Sequence, residues 1–119
     1  PVCSEGFGIP LGMTSISEKL VSEAGYEAHQ IGKWHMGMSS MQHTPYGRGF
    51  KTSLGYFHDT TDKYTQNYTA GPIDNVTCSG IDLWDTNKPS NQNGTYSGFI
   101  YSNRALKIIN EWDTSTNSS

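Results

Sequence analysis

A lysine and a histidine lie two residues apart between glycines in the run Gly32-Lys33-Trp34-His35-Met36-Gly37. In an extended backbone, side chains at positions i and i+2 project to the same side, so Lys33 and His35 share one face and Trp34 takes the other. An ammonium group beside an imidazole suits sulfate, phosphate or carboxylate, and the imidazole can also move a proton. The spacing therefore predicts an anion site. The alternative is an ordinary strand end with two solvated polar side chains.

A helix and a strand directly before this pair must position it. A hydroxyl group of Thr14, Ser15 or Ser17 can cap the helix at its start, and Gly25 can end it. The apolar positions of the helix are Ile16, Leu20, Val21 and Ala24. Residues 26–31 then alternate as a short strand. This order predicts an α/β crossover with the lysine and histidine at the carboxyl end of the strand, where open α/β sheets bind ligands.

The chain after the pair contains many glycines and turn residues, and residues 39–62 are predicted to be an ordered loop. Arg48 lies in that loop, and capping of carbonyls or pairing with a carboxylate is the favoured interpretation over anion binding. Several aromatic residues can either pin the loop to the core or flank a sugar or aryl ring. They are Tyr56, Phe57, Tyr64 and Tyr68.

The last predicted element is an amphipathic helix over about residues 97–112, lying on the sheet. Its apolar face is formed by Phe99, Leu106, Ile109 and Trp112. Residues 85–95 before it are polar, contain Pro89 and Gly94, and are predicted to be a surface loop.

Composition predicts a small core and restricts the classes of function. Of the 119 residues, 34% are hydrophobic, the mean hydropathy is −0.60, and 13 residues are glycine. The chain is therefore expected to bury little apolar surface for an isolated domain. The net charge of −3 excludes the basic face that a nucleic-acid binder needs. No apolar run approaches the length of a membrane span.

Four Asn-x-Ser/Thr sequences are candidate N-glycosylation sites, at Asn67, Asn75, Asn93 and Asn117. Together they favour the secretory pathway. The two cysteines, Cys3 and Cys78, can bond each other, remain free thiols or bond residues outside this chain. In an oxidising compartment the bonded state is favoured. The spacings of the four histidines match no zinc site.

Seven ordered stretches around the Lys33/His35 run resemble one known family. They are Ile9-Pro10-Leu11, residues 20–26, residues 43–50, Leu54-Gly55-Tyr56-Phe57, residues 74–78, residues 81–85 and Arg104-Ala105-Leu106. The run itself resembles the second sulfatase signature, and the collinear matches resemble arylsulfatases of the arylsulfatase B-like group. The resemblance implies an alkaline-phosphatase-like α/β domain, with a mixed sheet, flanking helices and long loops. Residues 1–119 are then an incomplete segment of that catalytic domain.

The resemblance also implies which parts of a sulfatase site this chain lacks. Sulfatases make a formylglycine nucleophile from cysteine in a Cys-x-Pro/Ala-Ser/Thr-Arg motif, and neither Cys3 nor Cys78 fits that motif. The calcium ligands of the family also have no counterparts here. Three positions depart from the family: Lys51 replaces an acidic residue, His43 stands where a cysteine falls, and residues 66–69 lack the usual partner of Cys78.

Lys33 is implied to bind sulfate and formylglycine, and His35 to hold a formylglycine hydroxyl group and help expel sulfate as a general base. The implied partner is an aryl or carbohydrate sulfate ester, without nucleic acid or a membrane span. The implied location is lysosomal or secreted. This segment alone is expected to be inactive. The alternatives are a catalytically inactive, sulfatase-like glycoprotein that binds anionic or sulfated ligands, and a glycosylated interaction module.

Overall fold

A computed structural model describes residues 8–71 and 77–116, the last four without their side chains. The helices are α1 (Ile16–Ala24) and α2 (Ser97–Thr116), with two 3₁₀ turns at Met41–His43 and Tyr46–Arg48. The strands are β1 (His29–Lys33), β2 (Thr52–Tyr56), β3 (Asn67–Thr69), β4 (Ser79–Ile81), β5 (Trp84–Asp85) and β6 (Lys88–Pro89). Strands β1-β2-β5-β6 form a four-stranded sheet and β3-β4 a two-stranded one. The predicted α/β class with a mixed sheet is confirmed.

Helix α1 begins and ends at residues whose side chains favour those positions. The Ser15 hydroxyl accepts from the Glu18 amide while the Glu18 carboxylate accepts from the Ser15 amide, which completes a capping box. Gly25 ends the helix in the left-handed region at φ 68°. The predicted helix is confirmed, but its apolar side is exposed: Ile16 is 77% accessible, whereas Ser17 is buried and donates to the Arg48 carbonyl.

Strands β1 and β2 pair in parallel, from His29 opposite Thr52 to Lys33 opposite Tyr56. The first strand begins three residues later than predicted and continues to the lysine, because Tyr26 lies exposed outside the sheet. The predicted loop over residues 39–62 is wrong in part, because it contains β2 and both 3₁₀ turns. Strand β2 is short and buried on both faces, and the glycines and turn residues around it favour a loop in the sequence.

Gly55 allows the close approach of β1 and β2. A Cβ atom at this position would overlap the backbone carbonyl of Gly32 in β1, which is its partner in the register. Strand β5 pairs antiparallel on the other side of β2, and β6 pairs antiparallel with β5. The predicted surface loop over residues 85–95 is therefore partly wrong, because its start forms this hairpin.

The core lies between the sheet and α2. Leu54, Leu83 and Ile100 form a buried cluster, with Tyr101 packed against it. The amphipathic helix predicted over residues 97–112 is confirmed, but its predicted inner face is wrong. The residues of that face are exposed: Phe99, Leu106, Ile109 and Trp112. The helix is apolar on more than one side, so periodicity alone does not identify the face that contacts the sheet.

The described residues include some, but not all, of the predicted glycosylation acceptors and cysteines. Asn67 and Asn93 are exposed, whereas Asn75 and Asn117 lie outside the described residues. Cys78 is disulfide-bonded, and Cys3 is outside the described part. Neither described helix is long and apolar enough to cross a membrane.

Candidate active site

The backbone after β1 keeps Lys33 and His35 against the neighbouring strand. Strand β1 ends at Lys33, and the next two amides donate to β2 and the residue after it: Trp34 to the Tyr56 carbonyl at 2.8 Å and His35 to the Phe57 carbonyl at 3.0 Å. His35 then takes the left-handed region at φ 51°, where the chain leaves the sheet. The pair therefore lies at the carboxyl end of two parallel strands, as predicted.

Trp34 anchors this turn from inside. Its ring is 7% exposed and packs edge-on against Phe50, with the ring centroids 5.8 Å apart. Its indole N–H donates to the carbonyl oxygens of Gly37 at 3.0 Å and His43 at 2.9 Å. Because the tryptophan points inward, the side chains before and after it remain exposed. The predicted alternation of faces is observed.

Lys33 and His35 converge on one carboxylate oxygen. The Lys33 ammonium donates to Oδ1 of Asp59, and Nδ1 of His35 lies 3.7 Å from the same oxygen. The hydrogen bond from Lys33, then its charge, holds the pKa of Asp59 below its ordinary value, and the charge of His35 adds to this effect. A carboxylate oxygen and a sulfate oxygen are both anionic acceptors. The arrangement is therefore one that can accept an oxyanion.

Asp59 is a site residue that sequence reasoning missed. It follows β2 closely, just as His35 follows β1. Parallel strands end at the same edge of a sheet, so residues after two paired strands meet there. The signal was thus present, but it required knowing that residues 52–56 form a strand.

A second aspartate–histidine pair lies immediately beside the first. Asp82 is 3% exposed, and its carboxylate accepts the amides of Phe57 and His58 and, at 2.7 Å, Nδ1 of the His58 ring. The imidazole of His58 stacks on the Tyr68 ring, with centroids 3.9 Å apart and planes 14° apart. Sequence reasoning did not predict this pair.

Arg48 is a structural residue, as favoured from the sequence. Its side chain is 4% exposed and lies 3.2 Å from the Glu18 carboxylate. It also donates to the carbonyl oxygens of Leu11, at 3.3 Å, and Met13. These contacts tie the 3₁₀ turn to the start of α1, so the guanidinium is not available to an anion at the strand edge.

The aromatic candidates separate into buried and accessible residues. Tyr56 and Phe57 are buried, so they pin the chain to the core. Tyr64 is 61% exposed and packs against Tyr96, with ring centroids 5.3 Å apart. Tyr68 borders the second aspartate–histidine pair.

The sulfatase family model matches residues 5–118 of the chain. The chain belongs to the sulfatase family. Mouse arylsulfatase J is 33% identical over 103 residues, which are 85% of this chain and 16% of that protein. Arylsulfatase G from dog and from human is 40% identical over 67 residues, or 55% of this chain and 12% of each relative.

Solved structures agree with the family at the level of the fold. The crystal structure of Ps i-CgsB superposes with a TM-score of 0.70 at 24% identity, covering 93% of this chain and 26% of that one. Its complex with k-i-k-neocarrahexaose superposes equally well. The alkaline-phosphatase-like fold predicted from the resemblance is therefore confirmed. This sulfatase chain spans a small part of the length of the relatives it matches.

The described residues of this sulfatase chain do not themselves fit the calcium ion and formylglycine that the family implies. Within residues 8–71 and 77–116, no three histidine, cysteine or acidic side chains are grouped so as to hold a metal ion. Cys78 is followed by Ser79-Gly80-Ile81, which is not the formylglycine motif.

Proposed function

We propose that the protein containing this chain is a sulfuric ester hydrolase in which Lys33 and His35 contact the sulfate group. The observation that carries the proposal is their convergence on a single carboxylate oxygen at the carboxyl end of two parallel strands. Membership of the sulfatase family supports the chemical identity of the anion.

The two residues of the pair have different roles in this proposal. The Lys33 ammonium neutralises charge on the sulfate oxygens and contacts the nucleophile, which requires a cation beside the reacting group. His35 hydrogen-bonds the nucleophile and acts as a general base when sulfate leaves. Calcium would offset negative charge and formylglycine would supply the nucleophile, and both would be held by residues outside this segment.

The proposed substrates are aryl or carbohydrate sulfates. The relatives named arylsulfatase J and G support the first class, and the complex of Ps i-CgsB with k-i-k-neocarrahexaose supports the second. The finer grouping with arylsulfatase B remains a proposal. A lysosomal or secreted location is supported by the exposure of Asn67 and Asn93, which leaves both acceptors accessible to glycosylation.

Residues 1–119 are proposed to be an incomplete, inactive segment of the catalytic domain. The apolar residues exposed on α1 and α2 support this proposal, because such faces are normally covered in a folded domain. Aryl sulfate hydrolysis by the purified segment in the presence of calcium would contradict it.

The function is tested by replacing the pair in the full-length protein. Lys33→Ala and His35→Ala should each lower the turnover of p-nitrophenyl sulfate about 100-fold or more, because each removes charge stabilisation or proton transfer at the reacting group. The matched controls are Lys51→Ala and His29→Ala, which change exposed or distant residues of the same types. Turnover of the controls should stay within about twofold.

Two other results would contradict the proposal. Near-normal turnover in both active-site variants would remove Lys33 and His35 from the mechanism. A wild-type protein that binds p-nitrophenyl sulfate without hydrolysing it would favour the inactive, ligand-binding glycoprotein instead.

A further inference from the structure

A cavity of about 340 Å³ is lined by residues that directly follow the Lys33/His35 motif and directly precede Asp59 in the sequence. One wall is Met38, which follows the motif directly, and another is His58, which directly precedes Asp59. The cavity is therefore bordered by the two segments that carry the anion site. The cavity is also lined by strand β4, Tyr68 and Trp84.

The imidazole of His58 is fixed in orientation but keeps one nitrogen available. Asp82 accepts two backbone amides as well as the ring contact, so its carboxylate is an acceptor and Nδ1 carries the hydrogen. Stacking on Tyr68 holds the plane of the ring. The other nitrogen, Nε2, has no hydrogen-bond partner within the part of the chain that the structure describes. In the neutral ring with its hydrogen on Nδ1, Nε2 accepts a hydrogen bond from a ligand hydroxyl group.

The walls combine flat apolar surfaces with one oriented polar group. Tyr68, Trp84 and Met38 supply the apolar surfaces, and His58 supplies the polar atom. Sugar rings have an apolar face and a rim of hydroxyl groups, so such a wall suits them better than it suits a wholly apolar ring. The volume is near the lower end of the range for small-molecule sites, which fits a ligand of about one or two rings.

We infer that this cavity receives the alcohol part of a carbohydrate sulfate, and that His58 is a specificity residue whose Nε2 accepts a hydrogen bond from a ring hydroxyl group. Asp82 is the positioning residue that holds His58. The inference rests on the proposed function and adds to it the substrate class and the residue that selects it.

The test compares two kinds of substrate in the full-length protein. p-Nitrophenyl sulfate has no hydroxyl group on its leaving group, whereas monosulfated galactoses have several. His58→Gln should lower kcat/KM for the best monosulfated galactose about tenfold, mainly through KM, because one buried hydrogen bond to the ligand is lost. The same variant should lower kcat/KM for p-nitrophenyl sulfate much less, because that leaving group has no hydroxyl group for the ring to bind, so the ratio of the two kcat/KM values should change. His29→Gln, at the opposite end of β1, is the matched histidine control.

A second variant tests the cavity without touching the aspartate–histidine pair. Met38→Trp places a larger side chain at the wall of the cavity, so KM should rise about tenfold for both substrates, and the melting temperature is measured to exclude loss of folding. If His58→Gln lowers kcat/KM equally for both substrates, or for neither of them, the specificity role of His58 is wrong. A wild-type enzyme that hydrolyses p-nitrophenyl sulfate but no monosulfated galactose would overturn the substrate class.

The results that would contradict the role of His58 can be distinguished from those that would contradict the proposed function. If Lys33→Ala and His35→Ala both remain active, the anion site is wrong regardless of His58. If those variants are inactive and His58→Gln has an unchanged substrate ratio, the proposed function stands and this inference fails.

Discussion

Two aspartate–histidine pairs lie beside each other at one edge of the sheet, yet their environments are opposite. In the His58–Asp82 pair the ring nitrogen and carboxylate oxygen are 2.7 Å apart, and the aspartate side chain is 4% exposed. In the His35–Asp59 pair the corresponding distance is 3.7 Å, and the aspartate side chain is 69% exposed. Residue type is the same in both, so burial and the number of donors separate their roles.

The comparison indicates which of the two carboxylates another anion could replace at its contacts. Asp82 accepts the backbone amides of two residues in addition to the ring of His58, and removing it would leave those donors buried without partners. Asp59 is held chiefly by one partly exposed lysine, Lys33. Under the proposed function, a substrate oxyanion would therefore replace the contact that Asp59 makes, but not the contact that Asp82 makes.

The largest expected effect concerns stability at the buried pair. Asp82→Ala should lower the free energy of unfolding by about 3 kcal/mol, because three N–H donors lose their acceptor in a buried position. Asp59→Ala, the matched exposed change, should leave the urea midpoint within error. Urea denaturation of both full-length variants measures the difference. Equal midpoints would show that burial does not distinguish the two pairs.

Local features of the chain were predictable from the sequence. A hydroxyl cap among Thr14, Ser15 and Ser17, the end of α1 at Gly25, and the shared face of Lys33 and His35 each depend on residues within a few positions of one another. Such signals are readable without knowing the rest of the fold. The structural role of Arg48 was also predicted, although its acceptors, the carbonyl oxygens of Leu11 and Met13, are distant in sequence and could not be identified from it.

Features that depend on distant pairing were not predictable. The glycine- and turn-rich composition around strand β2 predicts a loop, and the positions of Asp59 and Asp82 follow from that strand. The prediction of which face of α2 contacts the sheet was also wrong. Ile100 is buried at 3% exposure while Phe99 beside it is 64% exposed, and both are apolar. Which of the two side chains is buried depends on the packing of α2 against the sheet.

A smaller effect is expected on anion affinity at the exposed pair. Asp59→Asn removes a negative charge that competes with sulfate for Lys33 while keeping the size of the side chain. Inorganic sulfate should therefore inhibit the full-length variant about threefold more strongly than wild type, because like-charge repulsion at an exposed site is modest. Asp62→Asn is the control, since that carboxylate contacts the Tyr64 and Thr65 amides instead. Weaker inhibition of Asp59→Asn would show that Asp59 helps to hold the anion.

The smallest expected effect is a pH- and salt-dependent one. Lys33 lowers the pKa of Asp59 from its ordinary value of 3.8, so the ionised carboxylate is favoured in the folded protein. The resulting stabilisation is fully present above pH 3.8 and is lost as the pH falls through the lowered pKa. The melting-temperature difference between wild type and Asp59→Asn should thus be small and constant from about pH 5 to 8, and vanish at lower pH and in about 1 M salt. For Asp62, whose pKa is lowered chiefly by hydrogen bonds from the Thr65 and Tyr64 amides, the corresponding difference should persist in salt. A salt-independent difference at Asp59 would mean that the contact is not an exposed ion pair, and the distinction between the two pairs would fail.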